Sequence, residues 1–256
     1  KVQLPTREEL VRRTKTAFRN MAFFRDFAQQ IPARMRQEPV DFVRHFEEEG
    51  PAILSFDRSL STRIYAGLRK AAFAYVDVRE LRGKRILDLG CGSGHETAEI
   101  WLRLRGEAEI VAVDPVRGLL DLAEEQFVEI VSKSNHNAEL LTSENRPTFH
   151  LMSAMNLDFP DESFDVVYHS LILHWLPSPQ RGIQEIARVL KPGGMVFGTQ
   201  YTRPRASPWQ NLMFTVHEGV NGVFWEEEFQ RWYQKEGVTL SITSPAGVFK
   251  GQKFGG

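Results

Sequence analysis

Residues 85–97 read Arg-Ile-Leu-Asp-Leu-Gly-Cys-Gly-Ser-Gly-His-Glu-Thr, an apolar run that meets three alternate glycines and continues into a helix-forming stretch. Glycine at Gly90, Gly92 and Gly94 lets the backbone turn tightly and lets a ligand approach where a Cβ would clash. Ligands of open α/β sheets bind beyond the carboxyl ends of the strands, so a nucleotide-like molecule fits this turn. A plain tight turn contains the same residues, and other positions are needed to separate the two readings. The next apolar run, Val111-Ala112-Val113, ends on Asp114, a carboxylate suited to accept hydrogen bonds from both hydroxyls of a ribose. With Pro115 behind it, Asp114 is equally suited to cap the following helix, and the two roles are compatible. Ser153-Ala154-Met155 offers a polar side chain for the edge of an aromatic base and an apolar one for its face. His169 and His174 lie at and after the end of a further apolar run, where each imidazole is suited either to general-base work or to structural packing.

Regular elements must hold these residues at one edge. From Lys84 onward, short β-rich runs alternate with helical stretches, the pattern of a parallel sheet covered on both faces. The spacing predicts strands at Arg85–Leu89, Glu109–Asp114, Thr148–Ser153, Phe164–His169 and Gly194–Gln200, then an antiparallel hairpin of Val238–Thr243 and Gly247–Phe254. The polar stretch Ser132–Asn137 reads as an inserted loop. Residues 1–80 read as an N-terminal helical extension to a core at 81–256. Its first helix starts at the capping pair Thr6 and Glu9 and ends at Pro32, a shorter one follows Pro39 and stops at Gly50, and a third spans Ser59–Tyr75. The phenylalanines between Phe18 and Phe56 either fasten this extension to the core or line a pocket.

Taken together, Leu87-Asp88-Leu89-Gly90-Cys91-Gly92-Ser93-Gly94, Asp114, the stretch Phe159-Pro160-Asp161-Glu162-Ser163-Phe164-Asp165-Val166-Val167 and Arg188-Val189-Leu190-Lys191-Pro192-Gly193-Gly194 resemble the class I S-adenosylmethionine (SAM) dependent methyltransferases. The likeness is to the methyltransferase type 11 group and covers roughly residues 82–200. It implies a Rossmann-like α/β fold with a seven-stranded, mostly parallel sheet and helices on both faces. It also implies that the backbone of Gly90, Cys91, Gly92 and Gly94 faces the methionine part of SAM, with Asp88 reaching its ammonium. Asp114 would hold the ribose, Pro115 and Val116 would flank the adenine, and Ser153, Ala154 and Met155 would line its other side. Many relatives carry an acidic residue where Ser153 stands, so adenine contact in this chain leans on backbone groups. His169 and Ser170 are expected beside the transferred methyl. The N-terminal helices are expected to form a lid, with Tyr65 touching the acceptor.

The acceptor expected is a small molecule. Lys and Arg number 32 against 33 Asp and Glu, so the chain lacks the positive field that draws proteins to nucleic acid. An Asn/Asp-Pro-Pro-Tyr/Phe motif is absent, and Cys91 is the single cysteine, which argues against two kinds of nucleobase methylation. Acidic residues scatter along helix faces, with Glu47–Glu49 and Glu226–Glu228 read as solvated faces or caps, so no metal site is expected. The sequence carries no apolar run long enough for a membrane and no secretory signal, which makes a cytoplasmic address the expectation. Two other readings stay open. One is a SAM-binding protein without catalysis, its helical surface taking a partner. The other is an NAD-linked dehydrogenase, although dinucleotide loops prefer glycines at the first, third and sixth positions and here they fall at the first, third and fifth.

Overall fold

The structure is a computed structural model describing Val43, Phe46 and residues 50–134, 138–206, 223–243 and 247–255. Its helices are α1 (Gly50–Leu60), α2 (Arg63–Ala74), α3 (His95–Leu104), α4 (Arg117–Lys133), α5 (Pro179–Val189) and α6 (Glu226–Lys235). Strands β1 (Arg85–Leu89), β2 (Glu109–Asp114), β3 (Thr148–Leu151), β4 (Phe164–Ser170) and β5 (Leu190–Thr199) pair in parallel in the order β3-β2-β1-β4-β5. Two-residue strands β6 (Thr202–Arg203) and β7 (Phe224–Trp225) pair apart from this sheet. The hairpin of β8 (Val238–Thr243) and β9 (Val248–Lys253) completes a seven-stranded sheet antiparallel to β5. Between β1 and β4 the strand order reverses, and the connections leave in opposite directions to open a crevice.

Because successive side chains on a strand point to opposite faces, the apolar runs feed two cores. Leu87, Leu89, Val111, Val113 and Val167 pack with Ile183 and Ile186 of α5 and Phe229 and Tyr233 of α6. Ile86, Ile110, Val166 and Tyr168 pack on the other face with Trp101 of α3, Phe127 of α4 and Phe73 of α2. Each such large side chain contributes about 1.5–3 kcal/mol on burial. Helix α2 is therefore part of a core, not an appendage to one.

Several boundaries differ from the sequence expectation. The helix expected over 59–75 is two helices, because the Ser61 hydroxyl donates to Arg58 O and the Thr62 hydroxyl to Ser59 O, hydrogen bonds that compete with helix continuation. Gly50, expected to close a helix, is itself helical. Strand β3 stops at Leu151, and Ser153 instead makes an isolated bridge with Asn156. Strand β5 begins at Leu190 instead of Gly194, with a register irregularity opposite Phe164 and Val166. Helix α4 runs through Ser132 to Lys133, so that part of the expected loop is helical. Glu226–Glu228 form the first turn of α6, where Glu228 accepts from Trp225 N at 3.1 Å. The helix expected between Thr6 and Pro32 and the run Glu47–Glu49 lie outside the described residues.

Candidate functional site

A cavity of about 380 Å³ opens at the carboxyl ends of β1, β2 and β4. One wall is the glycine loop. Gly90 and Gly92 adopt φ of 74° and 53°, and a Cβ on Gly90 would sit 2.5 Å from Ile172 Cγ2. Gly90 N and Cys91 N both donate to Val113 O, at 2.8 and 3.0 Å, which pins the loop to the end of β2.

Asp114 supplies the charge of this wall. Gly92 N donates to its Oδ2 and Val116 N to its Oδ1, each at 3.0 Å, so it braces the loop and caps the turn after β2 at once. A carboxylate offers about four lone-pair sites, and two backbone donors leave about two. Burial pushes its pKa up to about 6, against the two N–H groups that hold it down.

Asp88 does not reach the cavity. Register pairs Asp88 with Ala112, two residues behind Asp114, or roughly 7 Å along the sheet. It lies instead under α3, where Thr97 Oγ1 meets its Oδ2 at 2.5 Å and burial pushes its pKa up to about 8. Gly94 packs toward Ala123 of α4, and Val116 is buried with Phe46 and with Leu119 of α4. His169 points into the core: fully buried, it bonds Tyr233 Oη through Nε2 at 2.7 Å and packs on Phe249. Burial lowers its pKa to about 3, so it stays neutral.

Of the sequence-predicted residues, the structure brings Gly90, Cys91, Gly92, Asp114, Pro115, Ser153, Ala154, Met155, Ser170, His174 and Tyr65 to the cavity. Glu96, which the sequence reading missed, joins them from the first turn of α3. Its Oε1 receives Arg69 Nη1 of α2 at 3.2 Å, and Arg69 also donates to Leu60 O at 3.1 Å. An acid in a helix's first turn is ordinary dipole complementation, so the sequence carries no separate signal for it. Asp57 of α1 accepts from Ser93 Oγ at 2.7 Å and faces His95 Nε2 at 3.1 Å, fastening α1 to the glycine loop. The Cys91 thiol is pushed up by burial and is no thiolate near neutral pH.

The opposite wall is apolar. Phe56, Leu60, Leu171, Ile172, Trp175 and Leu176 line it, with Leu171 at φ 54° turning the chain from β4 across the opening. His174 also enters this wall, with its Nδ1 3.3 Å from Gln200 Nε2, which faces Tyr201 O on its other side. Among the described residues no group of three or more His, Cys, Asp or Glu is placed to share an ion.

The strand order, the glycine turn after β1 and the carboxylate after β2 define a nucleotide-binding domain of the class I methyltransferase kind. Residues 87–198 match the family described as Methyltransferase domain. A biotin biosynthesis bifunctional protein of Cellvibrio japonicus is 31% identical over 209 residues, covering 78% of this chain and 36% of that protein. A demethylmenaquinone methyltransferase of Listeria monocytogenes is 26% identical over 195 residues, covering 74% of this chain and 76% of the relative. The chain thus spans about a third of the first relative's length. The structure of an O-methyltransferase family protein from Burkholderia thailandensis shares the fold, with TM-score 0.72, 16% identity and coverage of 93% and 71%. Residues 87–198 thus form a domain of the class I SAM-dependent methyltransferase type, a family whose cofactor is SAM. The residues present fit that group: a glycine loop that lines the cavity, a buried carboxylate with unclaimed lone pairs, and an adjoining apolar wall.

Proposed function

We propose that this chain methylates a small acceptor with a largely apolar body, held against Tyr65, Leu171 and Trp175. The observation that carries the reading is a single cavity with a polar end at Asp114 and the glycine loop and an apolar end facing it. SAM supplies a methyl group already activated on a sulfonium, so alignment and exclusion of water are the protein's main tasks. Asp114 holds the ribose, Gly90 and Gly92 admit the methionine part, and Ser153 to Met155 flank the adenine. Glu96 takes the place expected for Asp88, offering a carboxylate to the cofactor's ammonium. His174, at the acceptor end of the cavity, orients the acceptor. Helix α1 acts as the lid.

Support for a small acceptor comes from relatives named for demethylmenaquinone and for biotin biosynthesis. Among the described residues no helix is long and apolar enough to cross a membrane, and we place the activity in the cytoplasm. Methyl-labelled SAM incubated with the chain and a panel of phenols, quinols, carboxylic acids and amines tests the reading. Label is expected in one small-molecule class. SAM that binds but is never consumed across the panel would overturn catalysis and leave a binding protein.

A further inference from the structure

Residues 152–163 join β3 to β4 without a helix, and their backbone carbonyls need donors from elsewhere. Helix α5 supplies them from one strip of its surface, at Arg181 and Arg188, with Glu185 of the same strip accepting from a backbone N–H. Arg181 Nε donates to Met155 O at 3.2 Å, Arg188 Nη2 to Leu157 O at 2.8 Å and Arg188 Nη1 to Phe159 O at 2.8 Å. Glu185 Oε2 accepts from Leu157 N at 2.9 Å. The same carboxylate lies between the two arginines, at 2.9 Å from Arg181 Nη2 and 2.8 Å from Arg188 Nη2. Alternate residues of the connection, 155, 157 and 159, are thereby gripped by one helix face. The gripped segment starts where Ser153, Ala154 and Met155 line the cavity.

We infer that Arg181, Glu185 and Arg188 are positioning residues of the cofactor site, a clamp that sets the Ser153–Met155 wall against the glycine loop. The inference rests on the SAM reading of the cavity. A planar guanidinium suits this work because one rigid fork satisfies several oxygens, which a lysine ammonium cannot reproduce.

Calorimetric titration of the full chain with S-adenosylhomocysteine tests it. Arg188→Lys should raise Kd about tenfold and Arg181→Leu about threefold, the scale of one or two lost charge-assisted hydrogen bonds. Arg181 is half-exposed, so its variant keeps the test valid if Arg188→Lys fails to fold. Arg85→Lys is the control: Arg85 holds Ser163 O at 3.2 Å and Glu109 at 2.7 Å, away from the cavity wall, and its variant should bind as wild type does. Amide exchange over residues 153–159 should quicken in both α5 variants and not in the control. Wild-type affinity in both α5 variants, even with lowered melting temperatures, would overturn the clamp alone. A wild-type chain that does not bind S-adenosylhomocysteine would overturn the SAM reading and the clamp with it.

Discussion

On the glycine-loop side of the cavity a ligand meets backbone groups, Asp114 and Glu96; across from it stand Phe56, Leu60, Tyr65 and Trp175. The first side is built almost entirely within one strand-helix-strand unit, β1 to β2, whose parts are fixed by parallel register and by N–H donors to a single carboxylate. The second is assembled from α1, α2 and the turn after β4, which meet only when the chain has folded. Polar positioning on one side and apolar contact on the other make cofactor affinity and acceptor choice separable properties. They touch where Ile172 packs over Gly90 and where Leu60 and Phe56 approach Gly92.

The largest effect that can break this division is at Asp114. Asp114→Ala should raise Kd for S-adenosylhomocysteine about 100-fold, the loss expected for charge-assisted hydrogen bonds to two hydroxyls. An unaltered calorimetric isotherm in a folded variant would falsify the ribose assignment. The pH dependence sharpens the same point. Asp114 titrates near 6 and only its ionised form accepts both hydroxyls, so affinity should fall as pH drops through about 6 and hold steady above it. Asp114→Asn should flatten that profile.

The opposite wall should respond differently. Trp175→Ala removes a cavity-lining ring that meets Phe56 edge-on at a centroid distance of 6.3 Å. Turnover of the acceptor should fall about tenfold, with Kd for S-adenosylhomocysteine within about twofold of wild type, because the loss is one of packing contact. A large change in cofactor affinity would show that the two sides are not separable.

How much of this was legible in the sequence follows the same division. The glycine turn and Asp114 were readable because a strand running into alternate glycines, then a second strand ending in an acid, is a local pattern. Strands β1, β2 and β8 fall where the pattern placed them. Faces were harder to read. Both sides of the sheet are buried, so alternation gives no polar side to orient by, and neighbours part company: Ser170 lines the cavity while His169 points into the core with Tyr233. The depth of Asp88 was hidden for a related reason, since it lies two residues short of the edge of its strand. Strands β6 and β7 are two residues each, too short for any periodicity to register. The apolar wall carried no signal beyond apolar residues, which a core also uses.

The smallest effect on the site, and the control for everything above, is expected at the buried pair His169 and Tyr233. Tyr233→Phe strips the partner from His169 Nε2, while Nδ1 already lacks a hydrogen bond, so stability should drop by about 1–3 kcal/mol. Cofactor affinity and turnover should stay at wild-type values, because neither ring lines the cavity. The pH sign follows from burial. The folded state holds His169 with a pKa near 3 against 6.5 for the free side chain, so the unfolded chain binds the extra proton between those values. The contribution of His169 to stability is complete above about pH 6.5 and is lost as pH falls toward 3. His169→Leu combined with Tyr233→Phe replaces both polar partners by apolar groups and should weaken that acid sensitivity in thermal melts from pH 7 to pH 4. A double variant that melts like wild type across this range but loses turnover would place His169 in the chemistry after all, and would return the β4 end of the sheet to the polar side of the division.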